Sequence, residues 1–220
     1  MQNLTLIIPA KNENESLPTF LSELKKFECK KLIIIQENDI DTKNSIVEDE
    51  NTKIIFQKIN GYGAAIIEGI NNSKTEFSCI INADGSMNPD YLQLMLENCN
   101  DKDLVFASRY LKPNGGSEDD TILTFIGNKI FTFLGNLFYN LKLSDILFTY
   151  IIGKTSSFKN LDLKSYDFRL CVELPIKAKQ KKYIYSSLGC YERKRIAGKK
   201  KVNEFKDGFL ILYAIFRYLI

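Results

Sequence analysis

Asn82-Ala83-Asp84-Gly85 follows directly on the apolar run Cys79-Ile80-Ile81. A carboxylate at the end of a buried strand has to be solvated, paired or bound. Asn82 and Asp84 stand two residues apart, so both side chains can point to one side of an extended chain. Asp90 adds a third oxygen-bearing side chain nearby. One carboxylate, one amide and water could hold a divalent cation and, through it, a diphosphate. The competing reading is an Asx turn, in which Asn82 or Asp84 caps its own backbone ahead of Gly85. Two other stretches suit phosphate. Gly61-Tyr62-Gly63-Ala64-Ala65 puts small residues where a helix starts, which lets a ligand approach backbone N–H groups. It lacks the third glycine of a dinucleotide fingerprint and reads more readily as a tight turn. Arg195-Ile196-Ala197-Gly198 with Lys199, Lys200 and Lys201 is a cationic loop, either a clamp on diphosphate charge or a solvated surface run.

The composition narrows this chemistry. The 220 residues include no histidine, which excludes a Ser-His-Asp triad, a Cys-His dyad and imidazole metal ligands. A metal must sit on oxygen, which favours magnesium or manganese. The five cysteines are widely spaced, form no CxxC pair and read as reduced core thiols of a cytosolic protein. Net charge is +3, yet ten basic residues and one acid, Glu192, lie between Lys177 and Lys201. Such a block suits a phosphate-rich ligand or an anionic membrane surface. The N-terminus lacks the basic region and cleavage site of a signal peptide.

The elements that must position these residues alternate through the first half. Strands are predicted at Leu4–Pro9, Lys31–Ile35, Ile54–Gln57, Phe77–Ile81 and Leu104–Ser108. Helices are predicted at Glu15–Phe27 (Ser16 as N-cap), Ala64–Asn71 and Pro89–Cys99. Strand–helix repetition predicts an α/β fold with a mostly parallel sheet covered on both faces, and ligands beyond the carboxyl ends of its strands. After Arg109 the alternation fails. Residues 121–141 have a helical pattern in which Thr124, Asn128, Thr132 and Gly135 form one stripe and Phe and Leu cover the rest. So wide an apolar surface is either packed in the protein or laid on lipid. Residues 205–220 repeat the pattern in small, with Lys206 and Arg217 against Phe, Leu and Ile. Neither stretch reaches the roughly 20 apolar residues of a spanning helix.

The order of these signals carries more than each alone. Ile8-Pro9-Ala10-Lys11-Asn12-Glu13, Glu37 and Asp41, Gly61-x-Gly63, Asn82-Ala83-Asp84-Gly85, Ser108-Arg109-Tyr110, Ser144-Asp145 and Arg195-x-x-Gly198-x-x-Lys201 together resemble the family 2 inverting glycosyltransferases. The branch most similar is the polyprenyl-phosphate sugar transferases of the dolichol-phosphate mannosyltransferase type. The resemblance implies a GT-A (Rossmann-like) fold with amphipathic or interfacial helices in the C-terminal half. It also implies a GDP- or UDP-sugar donor and a magnesium or manganese ion. On that pattern Pro9, Ala10, Asn12 and Glu13 line the base and ribose pocket, with Glu37 beneath the base. Gly61 and Gly63 admit the nucleotide. Asn82, Ala83 and Asp84 form the metal and diphosphate corner, with Asp84 the expected ligand and Asn82 in place of the family's first Asp. Arg109 meets the acceptor phosphate, Asp145 serves as acceptor-side base or orienting group, and Arg195 and Lys201 close on the donor diphosphate.

The resulting expectation is a glycosyltransferase domain over 1–204, with a nucleotide-sugar half (1–110) and an acceptor half (111–204), followed by an amphipathic helix at 205–220. It transfers a sugar to a polyprenyl phosphate at the cytoplasmic face of a membrane. Residues 121–152 form interfacial helices, and nucleic acid is not a partner. Two alternatives stay open: a soluble family 2 transferase acting on a glycan or protein, and a non-catalytic nucleotide-sugar binding protein.

Overall fold

The computed structural model describes residues 1–219. In chain order the elements are β1 (Leu4–Pro9), α1 (Leu17–Leu24), β2 (Lys30–Ile35), α2 (Ile40–Asn44), β3 (Thr52–Phe56), α3 (Tyr62–Asn72), β4 (Phe77–Ile80), α4 (Leu92–Asn98), β5 (Leu104–Ser108), β6 (Gly116–Ser117), α5 (Ile122–Tyr139), β7 (Ile151–Lys154), α6 (Thr155–Asn160), α7 (Leu170–Gln180), β8 (Tyr185–Gly189), β9 (Tyr191–Glu192) and α8 (Glu204–Arg217). Seven strands form one sheet in the order β3-β2-β1-β4-β7-β5-β8, and β6 pairs with β9 in a separate two-stranded ladder. All neighbours in the large sheet run parallel except β7, which is antiparallel to both β4 and β5.

The near-continuous apolar strands follow from burial on both faces. Along β1, Leu4, Leu6 and Ile8 join the core under α1 and α4, while Ile7 joins the core under α3, α6 and α7. The same alternation sends Ile33 and Ile35 one way and Ile34 the other. The mostly parallel, helix-covered sheet agrees with the sequence reading. All five cysteines are buried and unpaired.

Three local expectations change. Ser16 makes no cap bond; its hydroxyl donates to Glu13 Oε2 at 2.5 Å instead. The short α2 went unread because its signal is a single capping residue, Asp39, which accepts from Thr42 N. The apolar stretch 121–152 is not one run of interfacial helix: α5 ends at Tyr139 with Asn140 in the left-handed conformation. Leu143, Ile146, Phe148 and Tyr150 turn into the core, and β7 enters the middle of the sheet.

Within α5 the predicted stripe is present but inverted. Asn128, Thr132 and Gly135 are its buried residues, because their polar groups satisfy the irregular chain that follows. Thr132 Oγ1 accepts from Ile146 N at 3.1 Å, and Asn136 exchanges hydrogen bonds with Leu143 N and O. The large apolar side chains Ile126, Ile130, Phe133 and Leu137 face outward. Helix α8 packs on this part of the molecule through Ile211, Ala214 and Ile215, with Phe216 against Phe138 at 5.5 Å between rings. A helix is thus present over Glu204–Arg217 of the expected 205–220 segment; Ile220 lies outside the described residues. The other face of α8 exposes Phe205, Phe209 and Tyr213.

Candidate active site

A cleft of about 670 Å³ lies above the carboxyl ends of β1, β2 and β4 and is closed on the far side by α8. Pro9, Ala10, Glu13 and Gly61 line it, as expected. Glu37 does not: it is exposed, and the preceding Gln36 lines the cleft in its place. Asn12 shapes the wall through its backbone. It adopts φ 52°, donates its N–H to Asp39 Oδ2 at 2.7 Å and accepts from Lys201 Nζ at 3.3 Å. Asp39 and Thr42, which the sequence reading passed over, thus pin the 10–13 loop; Thr42 Oγ1 accepts from Glu13 N at 2.9 Å. Burial pushes the Glu13 carboxyl up from its ordinary value, against the pull of Ser16 and of Lys201 at 3.3 Å.

Gly61 has φ 136°, and a Cβ there would lie 2.0 Å from Tyr166 O. A Cβ on Gly63 would lie 2.2 Å from Ser165 O. These glycines admit the protein's own 165–167 segment, and Ala64 N at the start of α3 donates to Tyr166 O. That segment is in turn held by Glu173 of α7, fully buried, which accepts from Lys164 N at 2.7 Å and Ser165 N at 2.6 Å and pairs with Lys177.

At the end of β4 the Asx-turn reading of Asp84 holds, and it occupies one of the two carboxylate oxygens. Its Oδ1 accepts from Ser86 N at 3.0 Å and Ser86 Oγ at 2.8 Å, an Asx turn with Gly85 at φ 75°. Its Oδ2 faces Arg195 at 3.5 Å. Asn82 Oδ1 accepts from Tyr62 OH at 2.8 Å, and Tyr62 in turn meets Thr149 Oγ1. Asp90 takes no part; it pairs with Lys26 on the surface. Among the described residues no group of three acids or thiols could hold a metal. A magnesium or manganese ion bound here would find one carboxylate oxygen, Asp84 Oδ2, and would have to take its remaining oxygens from a bound diphosphate or water. The cationic loop is fastened to this corner: Ile196 N donates to Asp84 O and Arg193 N to Ser86 O.

Arg109, which lines the cleft, meets Asp145, which lies behind it. Asp145 is buried, its oxygens taken by Arg109 Nε at 2.8 Å, Arg109 Nη2 at 3.0 Å and Asn128 Nδ2. Burial disfavours the Arg109 cation, but Asp145 and Glu192 outweigh it and hold the group above its ordinary value. Arg109 Nη1 reaches Glu192 at 3.3 Å and Asp120 at 3.9 Å. Its guanidinium is thus surrounded by carboxylates, with Asp145 holding it through two nitrogens. Of the basic block, Arg195, Lys200 and Lys201 line the cleft.

The family described as glycosyl transferase family 2 matches residues 5–162, more than half of the chain. The chain belongs to glycosyltransferase family 2. An uncharacterized glycosyltransferase of Mycobacterium tuberculosis is 28% identical over 107 residues, 48% of each chain, so this chain matches about half the length of that relative. The fold is similar to glucosyl-3-phosphoglycerate synthase from Mycobacterium tuberculosis, solved with Mn2+, UDP and phosphoglyceric acid. The TM-score is 0.72 at 11% identity, covering 99% of this chain and 78% of that one. It is also similar to mannosyl-3-phosphoglycerate synthase from Rubrobacter xylanophilus, with TM-score 0.68 at 13% identity, covering 98% and 73%. These likenesses show the GT-A-like fold; no branch within the family is fixed by them.

In this family 2 domain several residues without a sequence-based role also line the cleft: Asp119, Asp120, Glu192, Tyr62 and Thr149. Asp119 holds Arg195 with both oxygens, at 3.1 and 2.6 Å. Glu192 had a signal, as the lone acid of the basic block; Asp119-Asp120 had none beyond its position after a glycine pair.

Proposed function

We propose that this chain transfers a sugar, with inversion, from a nucleotide-sugar donor to an acceptor bound at the Arg109 end of the cleft. The observation that carries this reading is the corner in which Asp84 and the Arg195–Lys201 loop meet from two sides above the carboxyl ends of the parallel strands. Ala10, Gln36 and Gly61 offer a nucleotide wall. Arg195, Lys200 and Lys201 neutralise the diphosphate as it leaves. A magnesium or manganese ion, when bound at Asp84 Oδ2, supplies further positive charge to that leaving group.

Two acceptor classes have specific support. A polyprenyl phosphate, delivered from a membrane surface, is supported by the outward apolar faces of α5 and α8. These helices also contribute Thr124, Lys206 and Ile211 to the cleft. A soluble acceptor is supported by the two phosphoglycerate synthases of similar fold. A thermal-shift panel of UDP, GDP and their sugars, with and without manganese, tests the donor reading, since a specific ligand raises Tm by mass action. A panel with no stabilising nucleotide refutes it. Flotation with anionic vesicles separates the acceptor classes: a chain that stays at the bottom favours the soluble one.

A further inference from the structure

The acceptor end of the cleft is built from acids. Asp119, Asp120, Asp145 and Glu192 surround two cations, Arg109 and Arg195, and each arginine already holds a carboxylate through two nitrogens. A phosphate arriving here meets surplus negative charge and no unengaged guanidinium. A neutral hydroxyl meets neither obstacle, but it is a weak nucleophile and needs a base.

The carboxylates differ in what they have left to offer. Both oxygens of Asp145 are taken by Arg109 and Asn128, and both of Asp119 by Arg195. Asp120 accepts from Tyr110 OH and from Thr124 Oγ1, one on each oxygen. Asp84 has one oxygen in its turn and the other at Arg195. Glu192 receives Arg109 and Ser117 on Oε2 alone. Its Oε1 has no partner among the described residues, and no buried side-chain oxygen there lacks one; Oε1 therefore keeps some exposure, on a side chain that lines the cleft. The side chain is held firmly. β9 pairs with β6 in the register Ser117↔Glu192, and Ser117 Oγ also accepts from Asp119 N and Asp120 N.

We propose that Glu192 is the catalytic base of this transferase and that the acceptor presents a hydroxyl rather than a phosphate to the donor sugar. The inference rests on the nucleotide-sugar reading above. As the acceptor oxygen bonds to the anomeric carbon, the bond from that carbon to the diphosphate breaks. The electron pair leaves with the nucleoside diphosphate, and the hydroxyl proton passes to Glu192 Oε1. Burial raises the Glu192 carboxyl above its ordinary value, opposed by Arg109, which moves its basicity toward what the step needs. The charged groups facing it are Arg109 from β5 and Asp119 and Asp120 from the loop before α5, with Asp145 behind Arg109.

The test uses the full chain with the nucleotide-sugar that the thermal-shift panel selects. Acceptors are water, glycerol, 3-phosphoglycerate and a short polyprenyl phosphate, in wild type, Glu192→Gln and Glu192→Asp. The expected result is turnover with hydroxyl acceptors and a fall in kcat of about 10²–10⁴ in Glu192→Gln. In that variant nucleotide affinity stays within about twofold and the acidic limb of the pH–rate profile disappears; Glu192→Asp recovers part of kcat. The proposal is overturned if Glu192→Gln keeps at least half of kcat. It is equally overturned if its kcat loss comes with a matching loss of nucleotide affinity, or if wild type binds donor yet transfers only to polyprenyl phosphate or to nothing. Absence of any donor binding instead removes the nucleotide-sugar reading itself, so the two failures are told apart.

Discussion

The two halves of the cleft are built by opposite means. The donor side rests on β1, β2 and β4, parallel neighbours whose loops reach the site within a few residues of each strand end. The acceptor side rests on a two-residue ladder, an irregular segment and two helices, joined by ion pairs between residues 36 and 83 positions apart. Strand ends place donor residues by local geometry. Acceptor residues depend on long-range charge pairing, which makes that side more sensitive to single substitutions.

The comparison breaks most sharply at Asp145. Asp145→Ala removes the two-pronged partner of the buried Arg109 cation, leaving it Glu192 and Asp120 alone, and is expected to cost about 3 kcal/mol or more in urea unfolding; a cost below 1 kcal/mol would show that the acceptor side does not hang on this pair. On the donor side the largest expected effect is Gly61→Val, about 3 kcal/mol from left-handed backbone and collision with Tyr166 O, read as a lowered Tm.

Glu173→Gln sharpens the link between the halves, because Glu173 holds the segment on which Gly61 and Gly63 pack. The expected cost is about 1–3 kcal/mol at pH 7. Burial pushes the Glu173 carboxyl up, but hydrogen bonds from Lys177, Ser165 and Lys164 prevail and hold it below 4.5. Its stabilisation is therefore complete above pH 4.5 and is lost as pH falls through the lower folded value. The difference between wild type and Glu173→Gln should shrink in that window; a gap independent of pH would contradict the ionised pair. Tyr62→Phe should cost about 1 kcal/mol and free Asn82 Oδ1. Tighter manganese binding in the presence of UDP, by calorimetry, is the expected sign that Asn82 was withheld from the cation. The smallest effect is at Phe209→Ser, within about 0.5 kcal/mol in stability, where a lipid-facing α8 requires weaker vesicle flotation.

What was legible in the sequence follows the same division. The strands of the donor half, Asp84 and the 195–201 loop were readable because apolar runs and their polar ends are adjacent in sequence. The Asx turn and the cation reading could not be ranked from sequence, since the turn occupies only one of the two Asp84 oxygens. The burial of Asp145, the inverted stripe of α5 and the free oxygen of Glu192 were not readable. Each depends on a partner far along the chain, and polar groups that satisfy one another inside look in sequence like a solvent face.

The fastening of the cationic loop carries a kinetic consequence. Arg193 and Ile196 bond through their backbones to Ser86 and Asp84, so the cationic loop and the carboxylate corner are joined as one body rather than as a lid over a base. What can swing lies beyond Gly198, at φ 80°, where Lys199 and Lys200 lead toward α8 and Lys201 is tied to Asn12 and Glu13 only by its side chain. Departure of the spent nucleotide would then be timed by a short lysine strap and the helix behind it, and surfaces that hold that helix would set the turnover rate.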